Sequence, residues 1–528
     1  MLTLHPTIAQ TRAAFRWEIP DRYNIGVDCC DRLAEAMPDA PAIIDATDGT
    51  VTTFAGLRSL SNRLANALSA LVGPGDRVGV LLPQRVETAA AHVAVTKMGA
   101  ISIPLFKLFG PEALRHRLGA AGAKVVITDA AGAATLAGLR DDLPDLLRVV
   151  SVDADFADFI ADQPEVFTPH DTGPDDPAIL IFTSGTTGPP KGALHGHRVL
   201  LGHLPGVEMS HDGFPQPGDR IWTPADWAWI GGLLDVLLPA LHHGVPVVAS
   251  RFDRFGADAA FALIRDHDVR NVFLPPTALK IMRLLDDPPA VDLRSVASGG
   301  ETLGASLIDW GRKTLGCTIN EFYGQTECNM IVSSCGVMAP AEPGVIGFAV
   351  PGHDVQVIDA EGTPCAAGQE GDIAVRAPDP VMFLRYWNDP EATAAKFRGD
   401  WLVTGDRGML THSGRIRFRG RADDVITSAG YRIGPAEIED CLLTHPAVQM
   451  AGVVGQPDDL RGEVIVAFVQ LAEGHTPGDA LARALSDHVR ANLAAHEAPR
   501  HVRFVEALPL TTTGKLIRAD LRKLCTPS

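Results

Sequence analysis

The segment IFTSGTTGPPKGALH, residues 181–195, sets four hydroxyl side chains, three glycines and one lysine beside an apolar strand. AILIF at 178–182 reads as that strand, and Thr183, Ser184, Gly185, Thr186, Thr187 and Gly188 form the loop that leaves it. Glycines permit close backbone approach while hydroxyls and amides donate hydrogen bonds, a chemistry that suits anionic oxygens. Lys191 adds a point charge able to meet a polyphosphate. The spacing is not that of a Walker A loop, because Pro190 and Gly192 flank the lysine. A polar surface turn has much the same composition, so this loop alone does not fix a function.

Further residues offer complementary chemistry. In EFYGQTEC, Tyr323 presents a ring for a purine, Thr326 a hydroxyl for a phosphate, and Glu327 a hard oxygen ligand suited to Mg²⁺. Asp406, in LVTGDRG, is a carboxylate able to accept both hydroxyls of a ribose. Arg421 closes a basic run with Arg415, Arg417 and Arg419, and those three read as solvated surface residues. Lys515 lies in PLTTTGK near the C-terminal end. No G-x-S-x-G elbow and no H-E-x-x-H helix occurs. His195 and His197 flank the glycine-rich loop and read as helix-start residues, not metal ligands.

Positioning these groups takes more than one core. A chain of 528 residues predicts two or three domains. With 46% apolar and 21% charged residues it reads as folded and soluble. A net charge of −18 leaves no basic stripe for a nucleic-acid backbone. The eight cysteines contain no C-x-x-C pair, so reduced structural thiols are expected. The N-terminal residues lack a signal pattern, and the most apolar run, IGGLLDVLLPAL, is short and interrupted by Asp235, so a cytoplasmic protein without a membrane span is expected.

From residue 76, β-rich runs alternate with helical ones (DRVGVLLP, ETAAAHVAVTKMG, AISIPL, PEALRHRLGAAG, KVVITD), and the rhythm returns around GVPVVAS, FALIRDHDV, NVFLPP and LRSVASGG. That is βαβ architecture, whose ligands sit at the carboxyl ends of strands. From about residue 350 short alternating segments predict an antiparallel, barrel-like subdomain. After GRADD a small α+β unit follows. The fold class is therefore α/β: a large N-terminal domain of doubly wound sheets with a β-rich subdomain, residues 1–422, and a small mobile α+β domain, residues 423–528.

The chain resembles the adenylate-forming enzymes: acyl-CoA synthetases, luciferases and the adenylation domains of peptide synthetases. TSGTTGPPKG, YGQTE at 323–327, TGD at 404–406, FRGRADDVITSAGYRIGPAEIE at 418–439 and PLTTTGK at 509–515 occur in family order across nearly the whole chain. The resemblance implies ATP and Mg²⁺ as needs of the first half-reaction and coenzyme A as the thiol of the second. It places the 183–188 loop and Lys191 on phosphates, and Tyr323 and Gln325 with Gly299, Gly300, Glu301 and Thr302 around the adenine. It puts Thr326 near the α-phosphate, Glu327 on the metal, and Asp406 with Arg421 on the ribose. Asp423 is the implied hinge. Arg432 is implied near the α-phosphate, Gly430 beside the pantetheine arm, and Arg461 on a CoA phosphate. Lys515 is the implied charge stabiliser between the substrate carboxylate and the α-phosphorus, as an attack that joins like charges requires.

The implied reaction is acyl-adenylate formation with loss of pyrophosphate, then thiolysis with loss of AMP. Thirteen residues follow Lys515, so no fused carrier domain is expected and free CoA is the expected thiol. Trp229, Ile230, Gly231, Gly299 and Gly324 are the implied acyl pocket. Acetate-specific relatives carry tryptophan where this chain has Gly324, and glycines at 231, 299 and 324 predict room for a medium-chain, branched or aromatic acid. Ala228, where the family more commonly has glycine, alters the pocket's fine shape. A luciferase-like oxygenase, an adenylating enzyme that loads a carrier-protein thiol, and a non-enzymatic nucleotide binder are the alternatives. An ordinary kinase would yield ADP. The resemblance also allows a homo-oligomer and acylation of Lys515 by an acyltransferase, reversed by a deacylase.

Overall fold

The computed structural model describes residues 2–183, 190–252, 255–301, 303–421, 424, 426–428, 431–458, 461–493, 497–511 and 516–525. Within these, strands assemble into sheets of fourteen, seven and five. The seven-stranded sheet runs in the order Arg385–Tyr386, Gly192–Gly196, Pro177–Phe182, Ile101–Pro104, Arg77–Leu81, Val125–Thr128, Arg148–Ser151. Its last five strands pair in parallel. Such strands are buried on both faces: Val125–Thr128 is buried throughout, and helix Val86–Lys97, nearly all alanine, valine and threonine within, is buried through ten of its residues.

The fourteen-stranded sheet has a parallel half, through Pro41–Asp45, Val247–Ala249, Ile221–Trp222, Asn271–Phe273, Ser295–Gly299 and Ile319–Gln325. Chain reversal at Gln325 then starts an antiparallel half, through Cys328–Ser333, Val345–Ala349, Ile416–Arg421, Trp401–Leu410, Glu370–Arg376 and Val355–Ile358. The antiparallel β-rich subdomain expected from about residue 350 lies here, and it is continuous with the large sheet through Val345–Ala349, which pairs with Cys328–Ser333 on one side and Ile416–Arg421 on the other.

IGGLLDVLLPAL is helical throughout, as Ile230–Gly232, a π turn over Leu233–Leu237, and Leu238–His243. The reading of His195 as a helix-start residue is corrected: it lies inside strand Gly192–Gly196, wholly buried, and burial lowers its pKa to about 3. His197 follows that strand and is also buried. All eight cysteines are free thiols.

The small unit forms as its pattern predicts. Val448–Asp458 and Gly462–Leu471 make a long hairpin, Ile426–Ser428 and Tyr431–Ile433 add to one edge, and His501–Phe504 pairs in parallel with Gly462–Leu471. Helices Pro435–Leu442 and Asp479–Asn492 cover it, burying Ile438, Leu442, Leu485 and Val489 against Val453, Ile465 and Ala467. Among the described residues no helix is long and apolar enough to cross a membrane.

Candidate active site

The glycine-rich loop connects an antiparallel pair, Pro177–Phe182 and Gly192–Gly196, and the Thr183 amide donates to the Lys191 carbonyl at 2.9 Å to close its neck. Ser184, Gly185, Thr186, Thr187 and Gly188 lie outside the described residues, as do Thr302, Asp423, Gly430 and Lys515. Lys191 is exposed, with its Nζ 5.4 Å from the centre of the Tyr386 ring.

That tyrosine, passed over in the sequence reading, belongs to a segment that joins two motifs. Arg385–Tyr386 pairs with Leu194 and Ala193 of the loop hairpin. Three residues earlier Met382 bridges Cys328, and the Phe383 amide donates to the Glu327 carbonyl at 2.8 Å. Tyr386 then donates its hydroxyl to Glu327 Oε1. Burial raises the phenol pKa, which keeps the proton on the donor. Glu327 is 7% exposed, and its second oxygen has no hydrogen bond among the described residues. A buried carboxylate oriented by one phenol and open at its other oxygen fits a hard divalent cation. Among the described residues no cluster of three or more His, Cys, Asp or Glu side chains forms a metal cage, so a Mg²⁺ held here would draw its remaining ligands from substrate phosphates and water.

A second interlock lies on the same hairpin. Tyr323 donates to Asp406 Oδ2 at 2.5 Å, and Gln325 Nε2 donates to the same oxygen at 2.9 Å and to the Thr404 carbonyl at 2.7 Å. Lys396, also missed by sequence reading, donates to Gln325 Oε1 at 3.2 Å. Asp406 is a cross-strand partner of Arg421, whose guanidinium lies 3.9 Å from Oδ1. Burial raises the carboxyl pKa, while Tyr323, Arg421, Gln325 and Lys396 pull it back. Arg415 and Arg417 pair with Glu342 and Arg419 with Glu370, which makes them half-buried ion-pair residues instead of the solvated ones expected. Gly300 sits at φ +96°, a backbone that side chains rarely adopt, and Glu301 faces Lys280 at 3.8 Å.

Most of the residues expected to form the acyl pocket lie beside aromatic rings. Trp229 lies against Phe106 and Phe109, with ring centres 5.3 and 5.9 Å away. The expectation that Gly231, Gly299 and Gly324 leave empty room is corrected. A Cβ at Gly231 meets the Phe273 ring at 2.9 Å, one at Gly299 meets Phe322 at 2.6 Å, and one at Gly324 meets the Asn329 backbone at 2.5 Å. Phe273 and Phe322 pack on each other at 5.2 Å. The glycines therefore let these neighbours close in, and the rings set the shape. No local motif marks these rings, since Phe106 and Phe109 share the loop after strand Ile101–Pro104 while Phe273 and Phe322 come from two other strands.

In the small unit, Arg432 occupies strand Tyr431–Ile433, its side chain lying outside the description. Arg461 is exposed at the turn before Gly462, its amide on Asp458 Oδ1 at 2.9 Å. Just past the implied hinge, Asp424 is held by Arg518 at 3.5 Å and Arg522 at 2.6 Å, on the helix Arg518–Cys525 that follows the Lys515 motif. Arg518 also pairs with Glu439 at 2.6 Å.

The arrangement matches known proteins across its length. The AMP-binding enzyme profile matches residues 30–387, and the AMP-binding enzyme C-terminal domain matches 437–515. The chain is 33% identical over 481 residues to an uncharacterized acyl-CoA ligase, YtcI, of Bacillus subtilis (strain 168), covering 89% of this chain and 90% of that protein. It is 33% identical over 535 residues to human mitochondrial acyl-coenzyme A synthetase ACSM4, covering 96% and 91%. A crystal structure of the anthranilate CoA ligase AuaEII in complex with anthranoyl-AMP superposes with a TM-score of 0.89 at 28% identity, covering 96% of this chain and 98% of that one. The chain belongs to the AMP-binding enzyme family and is an AMP-forming acyl-CoA synthetase, an ATP-dependent acid–thiol ligase.

Proposed function

We propose that this synthetase activates a carboxylic acid larger than acetate, of medium-chain, branched or aromatic build, in the cytoplasm. The observation that carries the reading is the aromatic character beside the expected acyl residues: Trp229 packs with Phe106 and Phe109, and Phe273 and Phe322 pack on each other against Gly231 and Gly299. Apolar walls stabilise a hydrocarbon by ~0.8 kcal/mol for each buried methylene, a gain that acetate hardly collects.

In the first half-reaction a carboxylate oxygen of the acid bonds to the α-phosphorus of ATP, and the bond to pyrophosphate breaks. Asp406 and Arg421 hold the ribose, Tyr323 and Gln325 with residues 299–302 the adenine, and the 183–188 loop with Lys191 the phosphates. Glu327, oriented by Tyr386, would hold a Mg²⁺ ion, which would supply positive charge to offset that of the phosphates. Lys515 and Arg432 offset the charge that builds between carboxylate and phosphate. The unit beyond Asp423 then turns about that hinge and brings Gly430 and Arg461 to CoA. The thiol sulfur attacks the adenylate carbonyl, AMP leaves, and the thiol proton passes to solvent. Acylation of Lys515 would block the first step only. A homo-oligomer is compatible with the reading, which needs only one chain.

The test is acyl-CoA formation by the purified chain with Mg²⁺, ATP and CoA over acetate, butyrate, hexanoate, octanoate, branched acids and benzoate. The expected result is a kcat/KM maximum at a C4 or larger acid. A maximum at acetate would refute the size assignment, and adenylate without thioester would mean a carrier-protein thiol is the acceptor.

A further inference from the structure

The three glycines of the acyl pocket lead to four side chains. Gly231 abuts Phe273 and Asp235, Gly299 abuts Phe322, and Gly324 abuts Asn329. Two of the four are aromatic rings in mutual contact. The other two are polar and joined, with Asn329 Nδ2 donating to Asp235 Oδ1 at 2.7 Å. Asp235 is thus the one ionisable group in this ring of neighbours. It is only 2% exposed, and it sits one turn after Gly231, in the π turn Leu233–Leu237. Turns of this kind collect at functional sites because they re-aim a side chain within a helix.

The two oxygens of Asp235 differ. Oδ1 takes the Asn329 amide and faces His203 Nε2 at 3.8 Å. The His203 Nδ1 lies 2.7 Å from the Val199 carbonyl, which fixes the proton on Nδ1 and leaves Nε2 a bare acceptor. Oδ2 points the other way, 3.5 Å from the place a Gly231 Cβ would occupy, and has no hydrogen-bond partner among the described residues. A buried carboxyl oxygen without a partner is costly, so a purely structural Asp–Asn link would be better served by an asparagine or by two apolar residues.

We propose that Asp235 is a specificity residue of the acyl pocket, its Oδ2 forming a hydrogen bond with a hydroxyl or keto oxygen on the non-reacting end of the acid. Burial pushes this carboxyl well above its ordinary pKa, which favours the protonated form. With Oδ1 engaged as an acceptor, the hydrogen lies on Oδ2 and is donated. A neutral donor excludes carboxylate partners less sharply than a charge would, and favours neutral oxygen over plain hydrocarbon. The proposal rests on the acid-activating function above and narrows its substrate class to oxygen-substituted medium or aromatic acids.

The experiment compares kcat/KM for paired acids on the full chain: hexanoate against its terminal-hydroxy and keto analogues, and benzoate against meta- and para-hydroxybenzoate. The wild-type enzyme is expected to favour an oxygen-bearing member of at least one pair by about tenfold or more, the effect of an unpaired donor left in a closed site. Asp235→Asn, which keeps an acceptor for Asn329 and a donor at the Oδ2 position, preserves that preference. Asp235→Leu inverts it. Thermal unfolding accompanies each variant; should Asp235→Leu not fold, the pair Asp235→Leu with Asn329→Leu removes both polar partners together. A wild-type preference for the unsubstituted acid in every pair, or an unchanged ratio in the leucine variants, overturns the proposal. Wild-type pyrophosphate release separates the two levels: release with plain acids but no oxygen preference sinks only the role of Asp235, and no release with any acid sinks the acid-activating reading and this one with it.

Discussion

The proposed nucleotide end and the proposed acyl end of the site are built on opposite plans. At the nucleotide end, phenols orient carboxylates: Tyr323 on Asp406 and Tyr386 on Glu327, with Gln325, Lys396 and Arg421 around them. At the acyl end, rings fill the spaces that glycines vacate, and one polar pair, Asp235 and Asn329, interrupts them. The first plan fixes which bond is made, because charge at phosphorus requires particular functional groups. The second fixes which acid enters, because apolar fit depends on shape more than on residue identity.

Changes at the nucleotide end should therefore abolish or slow turnover without reordering acids, and changes at the acyl end should reorder acids. The largest effect is expected for Lys515→Ala, which lowers adenylation by about 10²–10³-fold while transfer from a supplied acyl-adenylate to CoA continues. ATP–pyrophosphate exchange and single-turnover thiolysis measure the two halves. A variant impaired equally in both would place the lysine in general folding instead.

Next is Tyr386→Phe, which frees Glu327 from its orienting phenol. A weakening of Mg²⁺ dependence by about tenfold is expected, as for other residues that orient a metal ligand. Titration of Mg²⁺ against bound non-hydrolysable ATP reads it directly, and the order of acids should not move. A changed acid order with unchanged Mg²⁺ dependence would erase the division between the two ends.

Gly299→Ala drives a Cβ to 2.6 Å from Phe322. The ring must shift, at about 1–3 kcal/mol for an overpacked site, and preference should move toward shorter acids. Thermal unfolding and the acid panel report the two consequences, and an unaltered panel would remove Phe322 from the pocket wall.

The smallest expected effect concerns pH. Glu321 lies on the strand that leads into Tyr323, and burial raises its carboxyl from 4.5 to about 8. The folded chain then holds a proton that the unfolded chain has lost, so this group's contribution to stability is present below about 4.5 and falls as pH rises toward about 8. Glu321→Gln should flatten that part of the stability profile in a denaturant series at several pH values. Parallel profiles would mean the carboxyl is ionised in the folded protein.

The same contrast explains what the amino-acid sequence discloses. The βαβ rhythm and the hydroxyl, carboxylate and arginine motifs were legible because each is a local string with a chemical requirement. Tyr386 and Lys396 were not, since their partners Glu327 and Gln325 lie 59 and 71 positions away in the chain. Phe106, Phe109, Phe273 and Phe322 read only as core residues until the fold placed them against Trp229, Gly231 and Gly299. The continuity of the β-rich region with the large sheet was hidden for a related reason: alternation reveals an antiparallel strand but not its neighbour, and Val345–Ala349 links Cys328–Ser333 to Ile416–Arg421.

The central claim, that one cleft adenylates an acid and then passes it to CoA, is tested most directly by product stoichiometry. Purified protein given Mg²⁺, ATP and hexanoate or benzoate should support pyrophosphate exchange without CoA. With CoA added it should release pyrophosphate, AMP and acyl-CoA in equal amounts. ADP and phosphate as products, or AMP formed with oxygen consumption and no thioester, would contradict the account.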